Sequence, residues 1–413
     1  MGPEIWSVTV LRSDEHVLVI GGGLAGWRFI EECRRRGFSG HITLVGAEAH
    51  LPYDRPPLSK QVLAGKWDFD DIVLATPERV AGASIEVLLG DPAAALDVDT
   101  HTVTLASGRV LEADRVVIAT GTRARHLPMG EGVVHYLRHV DDVVMIRTAL
   151  AALAPSARVA IVGAGFIGAE AATALHGRGT AVTVFEAASA PLVTVLGSTV
   201  AGWLRHLPDD AGVTLLTDQR IVSIEREGAD IVVTREGAEA LTFDLVLAGV
   251  GALPNTEWLE SSGLEIDNGV VVDDLLCATP TIAALGDVAR FWWESVSGRS
   301  SQRIEHWQVA NDQAARLAQT WCSPDEPLAP LIPYFWSDQY GAKIQVLGRP
   351  SASDDVVLVR GEVGQSWVAL AVRNDVVVAI ITLRQPRALM RSRELLTSPH
   401  TLADALALAP WKS

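Results

Sequence analysis

A short apolar run, Val17 to Ile20, opens into the glycines of "GGGLAG", continues as an amphipathic stretch and returns to a β-branched run at Ile42 to Val45. Short all-apolar runs predict strands covered on both faces, and the amphipathic stretch between them predicts a helix. The same succession recurs from Ala157, as the apolar "RVAIV", the glycines of "GAGFIG", a helical stretch and a strand at Ala181 to Phe185. Further apolar runs end in small residues at "DRVVIATG" (114–121) and "FDLVLAGVG" (243–251), and "TIAALGD" runs through Gly286 and Asp287 toward an expected helix. After the proline-rich "SPDEPLAPLIPYF" the pattern turns to the alternation of "DDVVLVRGEV" and "SWVALAVRNDVVVAIITL", which predicts antiparallel strands, and "TLADALALA" reads as a last helix.

Each succession of strand, glycine turn, helix and strand is a βαβ dinucleotide unit when the glycines keep their spacing. They do so twice, at Gly21, Gly23 and Gly26 and again at Gly163, Gly165 and Gly168, where Phe166 and Ile167 open the second helix. The first glycine makes the tight turn, the second admits a pyrophosphate to the backbone, and the third lets helix pack on strand. The pyrophosphate then meets a helix N-terminus, where free N–H groups and the helix dipole favour an anion. Two complete units predict two dinucleotide sites.

Acidic residues mark the ribose ends. Glu186 directly follows its strand, and a carboxylate there accepts from an adenosine 2′-OH and repels a 2′-phosphate, which selects NAD over NADP. In the first unit Glu48 comes two residues later than that pattern, so Glu48 serves the ribose, Ala47 offers backbone instead, or Glu48 is a solvated carboxylate. Small residues at Thr120–Gly121 and Gly251 let backbone cross close to a ligand; Arg123 and Arg125 meet phosphate or are surface charges. Asp287 accepts from a polyol hydroxyl or caps a helix.

Length changes this picture: 413 residues exceed one compact core and predict two or three domains. The expected fold is α/β, with two Rossmann-like dinucleotide domains and a C-terminal α+β domain. Continuity assigns residues 1–112 with 245–328 to the first site, 113–244 to the second, and 329–413 to the C-terminal domain. No apolar run approaches the ~20 residues of a membrane span, and the N-terminus lacks a signal-peptide pattern. A cytoplasmic protein with no membrane partner is expected. Three widely separated cysteines, Cys33, Cys277 and Cys322, give neither a disulfide framework nor a thiolate metal site, and no metal is expected. The formal charge of -16 excludes nucleic acid and opposes any acidic protein partner that lacks a local basic patch.

Taken in order and spacing, "VIGGGLAG", "LPYDRPPLSK", "IATGTRAR", "VGAGFIGAE", "GVGALPN", "ALGDVARF", "RIEHWQVANDQA" and "PYFWSDQYG" resemble the oxygenase-coupled NADH-dependent ferredoxin reductases over nearly the whole chain. That family sits among the two-dinucleotide-domain flavoproteins, beside rubredoxin reductases and apoptosis-inducing factor. The resemblance implies FAD in the first unit, NADH in the second, and a C-terminal domain that covers the flavin and helps receive an iron–sulfur partner. It implies that Lys60 lies beside the isoalloxazine and pairs with Glu170, that Arg55 and the prolines shape the cofactor wall, and that Glu305, His306 and Trp307 pass the pyrimidine edge. Trp307 departs from members with a small aliphatic there. Arg138, Ala25 and Ala93 match further FAD contacts, and Phe335 and Trp336 a flavin-covering segment.

The implied activity is hydride transfer from NADH to FAD, then single-electron transfer to a [2Fe–2S] or similar ferredoxin that supplies a cytochrome P450 or oxygenase. Rubredoxin reduction and a binding or signalling flavoprotein are the alternatives. Disulfide reductases of related fold need a redox cysteine pair by the flavin, where the first domain offers only Cys33 in a helical stretch, and NADH oxidases and peroxidases need one cysteine near the loop after the second strand, where this chain has Leu58-Ser59-Lys60. For docking, "RALMRSREL" places Arg387 and Arg391 on one helical face, a basic pair that answers the overall negative charge, or else a solvated face.

Overall fold

The computed structural model describes residues 6–412; Met1 to Ile5, the start of the stretch read for a leader, lie outside the described residues. Two compact units share the chain. One is built from residues up to Asp54 with Ile72–Arg123 and Leu253–Pro333, the other from Arg55–Asp71, Ala124–Ala252 and the chain from Tyr334 onward.

In the first unit five parallel strands stand in the order Ile282–Ala284, Arg115–Ile118, His16–Ile20, His41–Gly46, Glu86–Leu89. A parallel sheet is covered on both faces, and Val17, Leu18, Val19, Val116, Val117 and Ile118 are accordingly fully buried. The helix Leu24–Arg35 joins the first two strands in sequence, and the helix Trp307–Cys322 packs beside it, with Phe29 meeting Trp321 edge to face at 5.7 Å. An antiparallel three-stranded sheet, Ala93–Asp97, Thr102–Leu105 and Val110–Glu112, accompanies them.

The second unit repeats the plan with parallel strands in the order Thr214–Leu216, Ala181–Phe185, Arg158–Val162, Leu245–Ala248, Val134–Tyr136. Its fingerprint helix is Phe166–His176. The C-terminal alternation forms one antiparallel sheet in the order Tyr334–Gln339, Ala342–Gly348, Val376–Leu383, Ser366–Arg373, Asp355–Glu362. Aromatic contacts fix it within this unit: Phe166 lies 5.0 Å from Phe335, and Trp203 lies 5.2 Å from Trp367. The fold is thus mixed α/β, with two dinucleotide-type sheets and a C-terminal α+β part, as expected.

The boundaries differ from those drawn on the sequence. Strand Arg115–Ile118 pairs with His16–Ile20 and belongs to the first sheet, so a boundary at 112/113 cuts that sheet. Leu245–Ala248 pairs with Arg158–Val162 and belongs to the second. Each parallel sheet is completed by a strand that arrives only after a crossover excursion, and apolar runs alone do not show which sheet recruits it. The loop Arg55–Asp71 also goes with the second unit, tied there by Arg178 Nη1 donating to the Ala64 carbonyl at 3.2 Å. The stretch after Asp287 is the strand Ala289–Ser295 rather than a helix, reached through the single 3-10 turn Gly286–Val288. Among the described residues no helix is long and apolar enough to cross a membrane, and no group of three or more His, Cys, Asp and Glu is arranged to hold a metal.

Glycine packing in the first unit has a direct energetic test. A Cβ on Gly26 would overlap the Gly21 carbonyl oxygen and stand 3.1 Å from Val19 Cγ1, so Gly26→Val must push helix from strand. An overpacked contact of this kind costs about 1–3 kcal/mol. Gly202, in the helix Val193–Leu204, has no atom within 4 Å of an added Cβ, and Gly202→Ala gains up to about 1 kcal/mol of helix propensity. Thermal unfolding of the two variants should therefore shift in opposite directions; a Gly26→Val midpoint equal to that of the parent would refute the close packing.

Candidate functional site

In the first unit the turn after the strand His16–Ile20 is set by Gly21, whose φ of 131° and whose approach to the Ala119 carbonyl both exclude a side chain. Gly23 then stands at the N-cap with open space where a Cβ would be. The first turn carries no acidic residue and no side-chain cap. Amide groups at this helix end therefore face a cleared volume, which suits a diphosphate. Ala25 is buried in that first turn and packs against Gly286, where an added Cβ would stand 2.8 Å from the Ala25 Cβ.

The same unit contains most of the residues expected for FAD. Ala47 is exposed, and the Glu48 carboxylate accepts from the Tyr53 hydroxyl at 2.5 Å, so Glu48 is held in place rather than loose in solvent. Thr120 and Gly121 are locked to Asn255: Thr120 Oγ1 donates to its carbonyl at 2.8 Å, and its amide donates to the Gly121 carbonyl at 3.0 Å. Arg123 is committed to the same segment, donating to the Pro254 carbonyl at 3.1 Å and pairing with Glu257, while Arg125, in the other unit, is exposed. Asp287 lies inside a 3-10 turn whose N-cap is Leu285, so it does not serve as the N-cap there.

Glu305 pairs with Arg303 at 2.5 Å, and His306 stands at the N-cap of the helix that Trp307 opens. Trp307 is itself fixed, its indole Nε1 donating to Asp54 Oδ1 at 2.7 Å. Ala93 begins the strand Ala93–Asp97.

In the second unit the same backbone logic recurs. Gly163 has φ 102° and no room for a Cβ beside the Gly249 carbonyl, and Gly168 none beside the Gly163 carbonyl. Gly165 is the N-cap of a helix that also lacks a side-chain cap and an acidic first turn. The carboxylate of Glu186 reaches back to this turn: its oxygens accept from the amides of Ala164 and Ala188, each at 2.8 Å. One acceptor is thereby placed at the turn itself, as a ribose hydroxyl needs. Gly251 is exposed at φ 102°, its carbonyl accepting from the Arg125 amide at 2.9 Å, and Ile167 is 44% exposed.

The same unit holds the lysine. Pro56–Ser59 form one 3-10 turn with Lys60 at its C-cap. Lys60 Nζ donates to Glu170 Oε2 at 2.5 Å, with the two side chains 15% and 3% exposed. Ser59 Oγ donates to the same oxygen at 2.6 Å, Ser337 Oγ donates to Oε1 at 2.7 Å, and Gln339 Nε2 donates to Ser337 Oγ at 3.1 Å. A buried carboxylate is tolerated only when such donors replace water. Arg55 is tied nearby in sequence, its Nη1 donating to the Arg138 carbonyl at 2.9 Å.

The motifs assign no site role to Ser59, Ser337 or Gln339. For the two strand residues the signal is register: in Tyr334–Gln339 the inward positions are Phe335, Ser337 and Gln339, and polar groups at buried strand positions require partners. Trp336, on the other face of that strand, stacks near-parallel on Tyr334 at 5.8 Å. Arg387 and Arg391 are exposed on the short helix Pro386–Arg391.

Residues 15–314 match the pyridine nucleotide-disulphide oxidoreductase family model, and residues 334–410 match the reductase C-terminal model. Putidaredoxin reductase from Pseudomonas putida is 33% identical, over 95% of this chain and 96% of its own. The benzene 1,2-dioxygenase system ferredoxin–NAD(+) reductase subunit from Pseudomonas putida is 35% identical, over 94% and 95%. Among solved structures, the covalent putidaredoxin reductase–putidaredoxin complex superposes with a TM-score of 0.88 at 32% identity, covering 94% of each chain. The ferredoxin reductase for the CYP199A2 system from Rhodopseudomonas palustris does so with a TM-score of 0.87 at 30% identity, over 96% of this chain and 100% of its own. Together with two glycine cradles built to one plan, these matches establish that the chain belongs to the pyridine nucleotide-disulphide oxidoreductase family.

Proposed function

We propose that this protein is an FAD-dependent NADH:ferredoxin reductase, which delivers electrons to a small [2Fe–2S] ferredoxin serving a cytochrome P450 or dioxygenase, and that it works in the cytoplasm, where NADH is supplied. The observation that carries the reading is the pairing of two diphosphate cradles with a lysine–carboxylate pair, Lys60 on Glu170, at the loop where NADH oxidases and peroxidases of related fold need cysteine. Relatives that carry the name of ferredoxin reductase at matching length support the partner class.

In this reading the first unit holds FAD, and the sheet containing Gly163–Gly168 holds NADH. Bound flavin accepts electrons as a pair from NADH and releases them singly, and the protein's groups position and tune it. Gly21, Gly23 and Gly26 admit the FAD diphosphate to the helix end, and Glu48, fixed by Tyr53, is the ribose acceptor. Asp287 accepts from the ribityl chain. Glu186 accepts from the NADH adenosine ribose. By resemblance Lys60 is the cation that tunes the reduced ring, and within the second unit Glu170 keeps that charge at one place. The remaining matched contacts, Arg55, Ala93, Arg138, Glu305, His306 and Trp307, complete the cofactor wall by resemblance.

Docking rests on charge. Of the arginines near residue 390, Arg384 is spent on the fold, its Nη1 donating to the Gln365 carbonyl at 2.9 Å, whereas Arg387 and Arg391 are exposed. An acidic ferredoxin would meet these two, with Trp336 in the covering segment.

The FAD-loaded protein should use NADH over NADPH by at least about tenfold in kcat/KM with a [2Fe–2S] ferredoxin, since ~1.4 kcal/mol of repulsion suffices for that ratio. Equal efficiency would sink the role of Glu186, and reduction of rubredoxin without that of a [2Fe–2S] ferredoxin would change the partner class.

Arg387→Glu combined with Arg391→Glu should raise the KM for ferredoxin severalfold and flatten its salt dependence, with NADH-driven ferricyanide reduction unchanged. Parent-like ferredoxin kinetics at low salt would place docking elsewhere.

A further inference from the structure

Cysteines far apart in sequence meet in the first unit. The helices Leu24–Arg35 and Trp307–Cys322 run side by side, and two contacts step along them in the same direction: Phe29 meets Trp321 at 5.7 Å, and Arg36, just past the first helix, pairs with Glu326 at 2.8 Å. Cys33 and Cys322 lie between these two contacts, at the C-terminal ends of both helices, close enough for each thiol to shift the other's titration. Cys33 is fully buried and Cys322 is partly exposed, so a small oxidant reaches the second and not the first.

The surroundings divide the labour between the two thiols. Burial, then the Cys322 sulfur, push Cys33 well above the ordinary thiol range, with Arg34 opposing weakly and Glu32 adding slightly. Cys322 is held below it by the hydrogen bond from Cys33 and by the positive charges of Arg36 and Arg115, against the effect of burial. Arg36 Nε is buried and has no hydrogen-bond partner among the described residues. Cys277, the third cysteine, is fully buried and pushed up to about 12 by that burial, which makes it inert by comparison. A thiolate-prone, accessible cysteine against a buried partner thiol is the arrangement of a redox sensor with its resolving cysteine.

We propose that Cys322 and Cys33 form a peroxide-responsive dithiol which closes to a disulfide between these two helices. The Cys322 thiolate attacks one peroxide oxygen; the O–O bond breaks, the departing hydroxide takes up the proton that Cys322 had released and leaves as water, and Cys322 becomes a sulfenic acid. The Cys33 sulfur then attacks the Cys322 sulfur, the S–O bond breaks, and a second water leaves with the Cys33 proton. Two thiols are oxidised and one hydrogen peroxide is reduced to two waters. The place is distinct from the loop at Leu58-Ser59-Lys60, where cysteine is absent. Its consequence is mechanical: the bond pins the far ends of the two helices whose near ends carry Ala25 and Trp307.

The test treats the reduced, FAD-loaded protein with hydrogen peroxide, removes the peroxide, alkylates remaining thiols in denaturant, and maps peptides without reductant. Expected is a Cys33–Cys322 linked peptide with Cys277 alkylated, together with a rise in unfolding temperature that dithiothreitol reverses. In Cys33→Ser, dimedone should capture Cys322 as its sulfenic acid under the same treatment. The proposal is overturned if Cys33 and Cys322 are alkylated as fully as in untreated protein. It is equally overturned if Cys322 runs on to sulfinic acid in the parent or links to Cys277 or to a second chain. The parent's peptide map decides the matter even where the serine variant fails to fold, and it does not depend on electron transfer to any partner.

Discussion

The second unit turns on one buried carboxylate. Glu170 is 3% exposed, and it ties its own helix to two other stretches of chain: Ser59 and Lys60 donate from the proline-stiffened loop, and Ser337 donates from the edge strand of the C-terminal sheet. Removing one partner of a buried ion pair costs about 3–5 kcal/mol, because the other charge is then stranded. The three stretches are therefore held to one another by a requirement that hydrophobic packing alone does not impose. Apolar contacts specify proximity, whereas a carboxylate with two oxygens and three donors specifies which atoms meet. Tyr340 extends the tie, its amide donating to Thr173 Oγ1 at 2.8 Å one turn along the same helix.

The two glycine cradles solve one problem with the same backbone. Gly21 beside Ala119 and Gly163 beside Gly249 put carbonyl groups where a side chain would stand, so the turn can be made only by glycine. They part company at the carboxylate. Glu186 folds back to accept from the Ala164 amide inside its own turn, while Glu48 is steered from outside by Tyr53. In the second unit the acceptor position is thus fixed by the fingerprint itself. In the first it depends on a tyrosine of the loop that follows, a constraint that spacing from the strand end does not carry.

Most of the fold was legible because its signals are local. Both fingerprints, the strands beside them and the alternating C-terminal strands each appear within a single stretch of sequence, and the short helices at Pro386–Arg391 and Leu402–Leu408 fall where the pattern placed them. What escaped was non-local. No residue in "DRVVIATG" announces that Arg115–Ile118 joins His16–Ile20, since that pairing is decided by which sheet edge is open after the crossover. Asp287 looked like the approach to a helix because glycine–aspartate often precedes one, but Ala289–Ser295 pairs with Val270–Val272 and Gly298–Arg303, and this sheet partnership decides the outcome. Ser337, unlike Lys60, escaped for the same reason: a serine reveals its worth only when the strand register turns it toward Glu170.

Charge shows how local geometry can override a bulk property. A chain of net charge -16 repels an acidic partner at long range, but screening confines any exposed charge to a Debye length of ~8 Å, so the contact surface feels mainly its own residues. The helix Pro386–Arg391 presents Arg387 and Arg391 one turn apart, and Arg391 in the last turn also complements the helix dipole. The fold therefore tolerates the pair at little electrostatic cost. Arg384, by contrast, sits at φ 57° with its guanidinium spent on the Gln365 carbonyl. Basic residues that look equivalent as letters are thus divided by the backbone into one that builds the sheet end and two left exposed on a helix.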